Sequence, residues 1–188
     1  MAPVQCRGFL LVVLTILYTN SLSQIHLQVN DIYVIIAIML KKLMQKLGRY
    51  RVILDRQNNE PYLERYYLFL KDRKTFPFNV FLHRFLKSDP GTVHDHPWSY
   101  TTIILKGGYW EWVPTFNAQG EMNGERVHWR GAGHVRTCGA NSYHRIELEP
   151  GITPWTLFMP GPQTRDWGFL KNNRWIQHEQ YFKESKDI

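Results

Sequence analysis

The chain has 188 residues, 44% hydrophobic and 14% aromatic, with a formal net charge of +7 and a pI near 9.5. That length suits one domain with an appendage, and so apolar a composition excludes a disordered chain. The cations are spread along the chain without a nucleic-acid-binding motif, so they read as solvated surface and no nucleic-acid partner is expected.

Residues 1–38 differ from the rest. Arg7, the apolar run Phe9 to Tyr18 and the small, polar stretch Thr19-Asn-Ser-Leu-Ser23 follow the pattern of a secretory signal peptide. Met39 opens a second start, Met39-Leu-Lys-Lys-Leu-Met-Gln-Lys-Leu-Gly48, so residues 1–38 are either signal-like or an N-terminal extension. The protein is secreted if 1–23 is a signal peptide and cytoplasmic if translation starts at Met39. The run Ile32 to Leu40 is too short to span a bilayer, which takes about 20 apolar residues. No stable membrane contact is expected unless residues 9–40 anchor the chain.

Residues 39–188 are expected to form a single domain. Residues 39–47 read as a short amphipathic helix ending at Gly48, and the densest basic stretch, Lys41, Lys42, Lys46, Arg49 and Arg51, falls around its end. From there the pattern is β. The predicted strands are Arg49–Leu54, Tyr62–Leu70, Asn79–Leu86, Trp98–Leu105, Tyr109–Val113, Arg126–Trp129, Gly133–Arg136, Ser142–Leu148 and Trp155–Met159, with Trp175–Phe182 as strand or short helix. Short strands punctuated by Gly, Pro and Asn turns predict an all-β sandwich or barrel. The cysteines, Cys6 and Cys138, do not make a disulfide framework.

The chemistry concentrates in His94-Asp-His96-Pro97-Trp98. In an extended segment, residues i and i+2 share a face, so His94 and His96 can grip one ion, and His144 in a later strand can join them. Three imidazoles leave coordination positions open. The segment resembles the first cupin motif, with six residues between Tyr100 and Gly107 and between Thr101 and Gly108. Gly133, then five residues, Gly139, Asn141 and His144 keep the spacing of the second, with Gly139 replacing Pro and Asn141 replacing a turn Gly whose left-handed conformation Asn tolerates. Ser88 stands where the first motif begins with Gly, and the usual metal-binding Glu is absent.

The two motifs and their strands cover about residues 78–160. The resemblance implies an all-β cupin double-stranded β-helix, a jelly-roll barrel, holding one divalent metal on His94, His96 and His144. A three-histidine set resembles the cysteine dioxygenase type of thiol dioxygenase, which implies iron(II), although imidazole suits zinc and nickel as well. The strand after the third His carries Phe158 and Met159 where that family has a catalytic Tyr. The phrases His-Pro-Trp, Gly-Gly-Tyr, His-Arg-x-Glu-Leu and Trp-Gly-Phe are similar to those of small uncharacterised bacterial and phage cupins.

Three further residues are candidates for catalysis. Tyr100 is a core ring or a donor to a metal-bound oxygen. Arg84 is the candidate for a substrate carboxylate, by likeness to cysteine dioxygenase, whereas Arg145 alternates away from His144. Glu111 shares a face with Tyr109; facing inward it is a general base or an arginine partner, facing outward a solvated edge. His83 is a candidate fourth ligand or a support to the ligands. Trp98, Trp155 and Trp167 read as packing ahead of substrate platforms, and Asp166 to Phe169 as a lid or an outer turn. The leading function is a metal-dependent dioxygenase acting on a small molecule such as a thiol. A non-catalytic small-molecule or sugar binder and an isomerase or epimerase are the alternatives, and a homodimer is open.

Overall fold

The computed structural model describes residues 35–71 and 76–184; the signal-like pattern of residues 1–23 lies outside them. The chain divides into two compact units, one ending at Lys46 and one beginning at Leu47. In the first, helix α1 covers residues 35–46. It therefore begins at least four residues before Met39, where a short helix is expected to start. No breaker separates Ile35 from Lys46, and Ala, Leu, Met, Lys and Gln all favour helix. Gly48, at φ 62°, follows its end.

The second unit is mostly β, its antiparallel strands arranged as a jelly roll. Its strands are β1 (Tyr50–Leu54), β2 (Pro61–Tyr67), β3 (Phe81–Phe85), β4 (Trp98–Lys106), β5 (Gly108–Phe116), β6 (Met122–Gly131), β7 (Val135–Cys138), β8 (Arg145–Glu147), β9 (Trp155–Gln163), β10 (Gly168–Lys171) and β11 (Arg174–Gln177), followed by helix α2 (His178–Glu184). One antiparallel sheet runs β1-β2-β3-β9-β4-β7, another β6-β5-β8, and β10 and β11 form a hairpin. His94 bridges His144 on one side and Phe169 on the other, so its segment tiles the gap between β8 and the hairpin. Leu63, Phe85 and Ile104 from the first sheet meet Tyr109 and Ile146 from the second in the buried core. Each such side chain contributes roughly 1.5–3 kcal/mol on burial.

Local chemistry sets several joints. Ser88, at the departure from the first motif, accepts a hydrogen bond on its Oγ from Leu148 N (2.9 Å), and Asp89 Oδ2 accepts one from Ile146 N (2.6 Å). Side chains thus supply acceptors along β8. Asn141 does not take up the left-handed conformation expected of it; among the described residues only Asn59, Asn172 and Asn173 do so without being glycine. Its turn is closed instead by Ser142 N donating to Gly139 O (3.1 Å). Asn172 and Asn173 make the tight turn of the β10–β11 hairpin. The terminal segment is both of its expected states, β11 and then α2.

Of the Asp166-to-Phe169 stretch, Gly168 and Phe169 pair in β10 with β11, whereas Asp166 and Trp167 precede the strand. A Cβ on Gly168 would stand 2.2 Å from Ile176 O, so only glycine fits. Asp95, fully buried between the two motif histidines, holds this hairpin. It accepts hydrogen bonds from Gly168 N (2.7 Å) and Trp175 Nε1 (3.0 Å) and pairs with Arg165 (2.7 Å). Burial nevertheless pushes its carboxyl above the usual value, against those bonds. Removing a buried, paired carboxylate leaves donors unsatisfied. Asp95→Ala is expected to lower the unfolding free energy by about 3 kcal/mol, measured by urea denaturation, with Asp95→Asn recovering part of the loss.

Candidate metal centre

The jelly roll brings His94, His96 and His144 together. Their nearest ring nitrogens all lie within 4.8 Å of one another. His94 and His144 exchange backbone hydrogen bonds, 2.9 Å and 3.0 Å, which sets the two motifs in register. The Nε2 atoms of His96 and His144 are 2.9 Å apart. His94 Nδ1 is buried without a hydrogen-bond partner among the described residues. An orphaned imidazole nitrogen beside two converging ones is a donor set suited to a divalent metal.

Burial also sets the protonation. It pushes His94 and His144 down to about 4 and His96 well below its usual value. All three are neutral at pH 7, the form that binds metal. His144 Nδ1 donates to Glu111 Oε1 (2.9 Å), which leaves Nε2 as its free lone pair.

Glu111 is 1% exposed and faces inward with Tyr109, as alternation along β5 requires. Its Oε2 takes a hydrogen bond from Arg130 Nε (2.9 Å) and pairs with Arg136 as well. With both oxygens engaged, the carboxylate's contacts are those of an arginine partner and histidine support rather than of a general base.

A cavity of about 600 Å³ opens beside the three histidines. Tyr100 lines it, and its hydroxyl lies 3.3 Å from His144 Nε2. Burial raises the Tyr100 hydroxyl well above its usual pKa, with Cys138 beside it adding to the effect, so it remains a donor. Phe158 stacks near Tyr100 and His83 and brings no hydroxyl. Trp98 and Trp167 line the cavity, whereas Trp155 stacks on Tyr66.

Arg84 is not where its expected role requires. The alternation of β3 turns His83 into the cavity and Arg84 away from it, against Glu64 (3.4 Å). Arg51, Arg56 and Arg65 line the cavity wall instead, and Arg65 is the cross-strand partner of His83. Arg65 Nε donates to His83 Nε2 (2.9 Å), so His83 stands apart from the ligand group as a support for Arg65. No carboxylate pairs with Arg65 among the described residues, and Arg51 faces it across the β1–β2 ladder. Arg145 points outward, to Glu125 (3.1 Å). The inward arginine follows from the β2–β3 register, which single-strand alternation does not supply.

A neutral buried imidazole takes up its proton later than the same residue in the unfolded chain. Between the unfolded value of 6.5 and the folded value of about 4 for His94, the unfolded state binds more protons, so stability falls as pH falls. Metal-free protein is expected to lose on the order of 3 kcal/mol through His94 over that window. Urea midpoints measured at pH 7 and pH 4.5 check this, and His94→Gln should flatten the dependence.

No protein-family model matches the sequence, and no curated protein does. Solved structures are similar to it at low identity. The polyketide cyclase RemF from Streptomyces resistomycificus is 17% identical over 66% of this chain and 78% of its own, with a TM-score of 0.44. Rru_A2000 from Rhodospirillum rubrum, a cupin-2 domain, is 12% identical over 70% and 77%, with a TM-score of 0.48. The hydroxypropylphosphonic acid epoxidase of S. wedmorenis is 11% identical over 61% of this chain and 56% of its own, at 0.42.

Proposed function

We propose that the protein is a mononuclear, iron(II)-dependent oxygenase acting on a small organic anion, with thiol-bearing acids the first substrates to try. The observation that carries this reading is the convergence of three neutral imidazoles at a cavity of about 600 Å³ whose wall holds an arginine without a carboxylate partner among the described residues. His94, His96 and His144 would hold the metal, which supplies Lewis acidity and redox chemistry towards dioxygen.

This chain's own residues do the rest. Glu111 fixes the tautomer and ring plane of His144. Tyr100 offers a protonated hydroxyl at the ligand cluster, able to donate to an oxygen of the substrate. Arg65, held by His83, offers a carboxylate its remaining N–H donors. Phe85, Phe158 and Trp98 keep the wall apolar, which excludes water and strengthens that ion pair. An isomerase using Glu111 as base is disfavoured because two arginines and His144 occupy its oxygens.

Metal content per chain tests the site. His94→Ala, His96→Ala and His144→Ala are each expected to lose most of the bound iron, and Glu111→Gln to weaken affinity by about 10–100-fold. His128→Ala and His134→Ala, whose side chains lie off the cavity, should keep full occupancy. Circular dichroism controls for folding. Oxygen uptake across thiols and small carboxylic acids then tests the reaction. Arg65→Met is expected to raise KM at least tenfold for an acidic substrate, and Arg84→Met to leave it unchanged. Full iron occupancy in folded His144→Ala would remove the third ligand, and metal binding without oxygen uptake on any substrate would make this a binding protein.

A further inference from the structure

Two exposed apolar surfaces, each flanked by cations, have no part in the site above. On α1, Ile36, Met39, Leu40 and Leu43 recur at the spacing of one helix face and are between 46% and 65% exposed. The other side carries Lys42, Gln45 and Lys46, all exposed, interspersed with the exposed Ile35 and Ile38. In the second unit, Leu68, Phe69, Phe76 and Phe78 are between 41% and 48% exposed. The three phenylalanine rings pack on one another at 5.0–5.5 Å, an aromatic cluster facing solvent. Arg49 lies against it, donating to Tyr67 O and Phe69 O (3.1 Å each), and the Lys71 ammonium lies beside Gly48.

We infer that these surfaces dock the protein on the anionic face of a lipid bilayer. Contiguous exposed apolar patches mark contact sites. An apolar helix face with lysines opposite is the arrangement of a helix lying in the membrane interface, its apolar side in the acyl boundary and its cations among headgroups. Phenylalanine beside Arg and Lys meets the same two layers. The net charge of +7 favours an acidic surface, whereas a second copy would set like charges against each other. No described helix is long and apolar enough to cross a membrane.

Sedimentation of the full-length chain with phosphatidylcholine vesicles, with and without phosphatidylglycerol, tests this. Binding is expected only with the anionic lipid, and weaker at high salt. Lys42→Ala and Lys46→Ala should each weaken it roughly fivefold. Leu43→Ser and the double variant Phe69→Ser, Phe76→Ser should reduce it at least as far, with circular dichroism and iron content unchanged. Wild-type protein that stays in the supernatant would overturn the inference. So would variants that bind as well as wild type, which would place the contact in residues 1–34, and so would a salt-resistant dimer that the same variants dissociate. Iron content reads the metal centre separately, so failure here leaves the oxygenase reading standing.

Discussion

The hydrogen bonds exchanged between the backbones of His94 and His144 hold together two segments far apart in sequence, and the three-histidine group follows from that pairing. Once those residues are opposite each other, the i, i+2 geometry of His94 and His96 aims two rings to one side, and His144 arrives beside them. The same bridge closes the second sheet onto the β10–β11 hairpin through Phe169. Fold closure and ligand assembly are thus a single event, and neither motif forms a site without the other.

Beneath the ligands lies a buried ionic cluster. A carboxylate as enclosed as Glu111 costs several kcal/mol to desolvate unless it is paired and hydrogen-bonded. Arg130, Arg136 and His144 meet that requirement together. With two cations against one carboxylate, the cluster favours a neutral His144, the state needed for a ligand. Asp89 is similarly committed, to Tyr62 and Ile146 N. The acids of the cavity wall are therefore spent on structure, while Arg65 stays without a carboxylate of its own.

Much of this was legible in the sequence because it is periodic or spaced. The strands, the jelly-roll class, the histidine pair and the shared face of Tyr109 and Glu111 follow from alternation and motif spacing, while burial decides that this face is the inner one. What failed depended on pairing between distant segments. Arg84 was chosen by likeness, yet His83 and Arg84 cannot both face the cavity, and only the β2–β3 register reveals Arg65 opposite His83. Asn141 was read as a left-handed turn residue, whereas a hydrogen bond across Gly139 to Ser142 makes that conformation unnecessary. The role of Ser88 and Asp89 as acceptors for β8 depends on contacts with residues 146 and 148, beyond any local pattern.

Asp95 stands between two ligands and reaches out to the hairpin whose first residues include the cavity-lining neighbourhood of Trp167. Trp167 in turn stacks on His178, at 4.6 Å between ring centroids. The cavity wall at Trp167 and the histidine pair therefore share one carboxylate as a common anchor. A substitution at Asp95 would therefore disturb the hairpin and the spacing of His94 and His96 together.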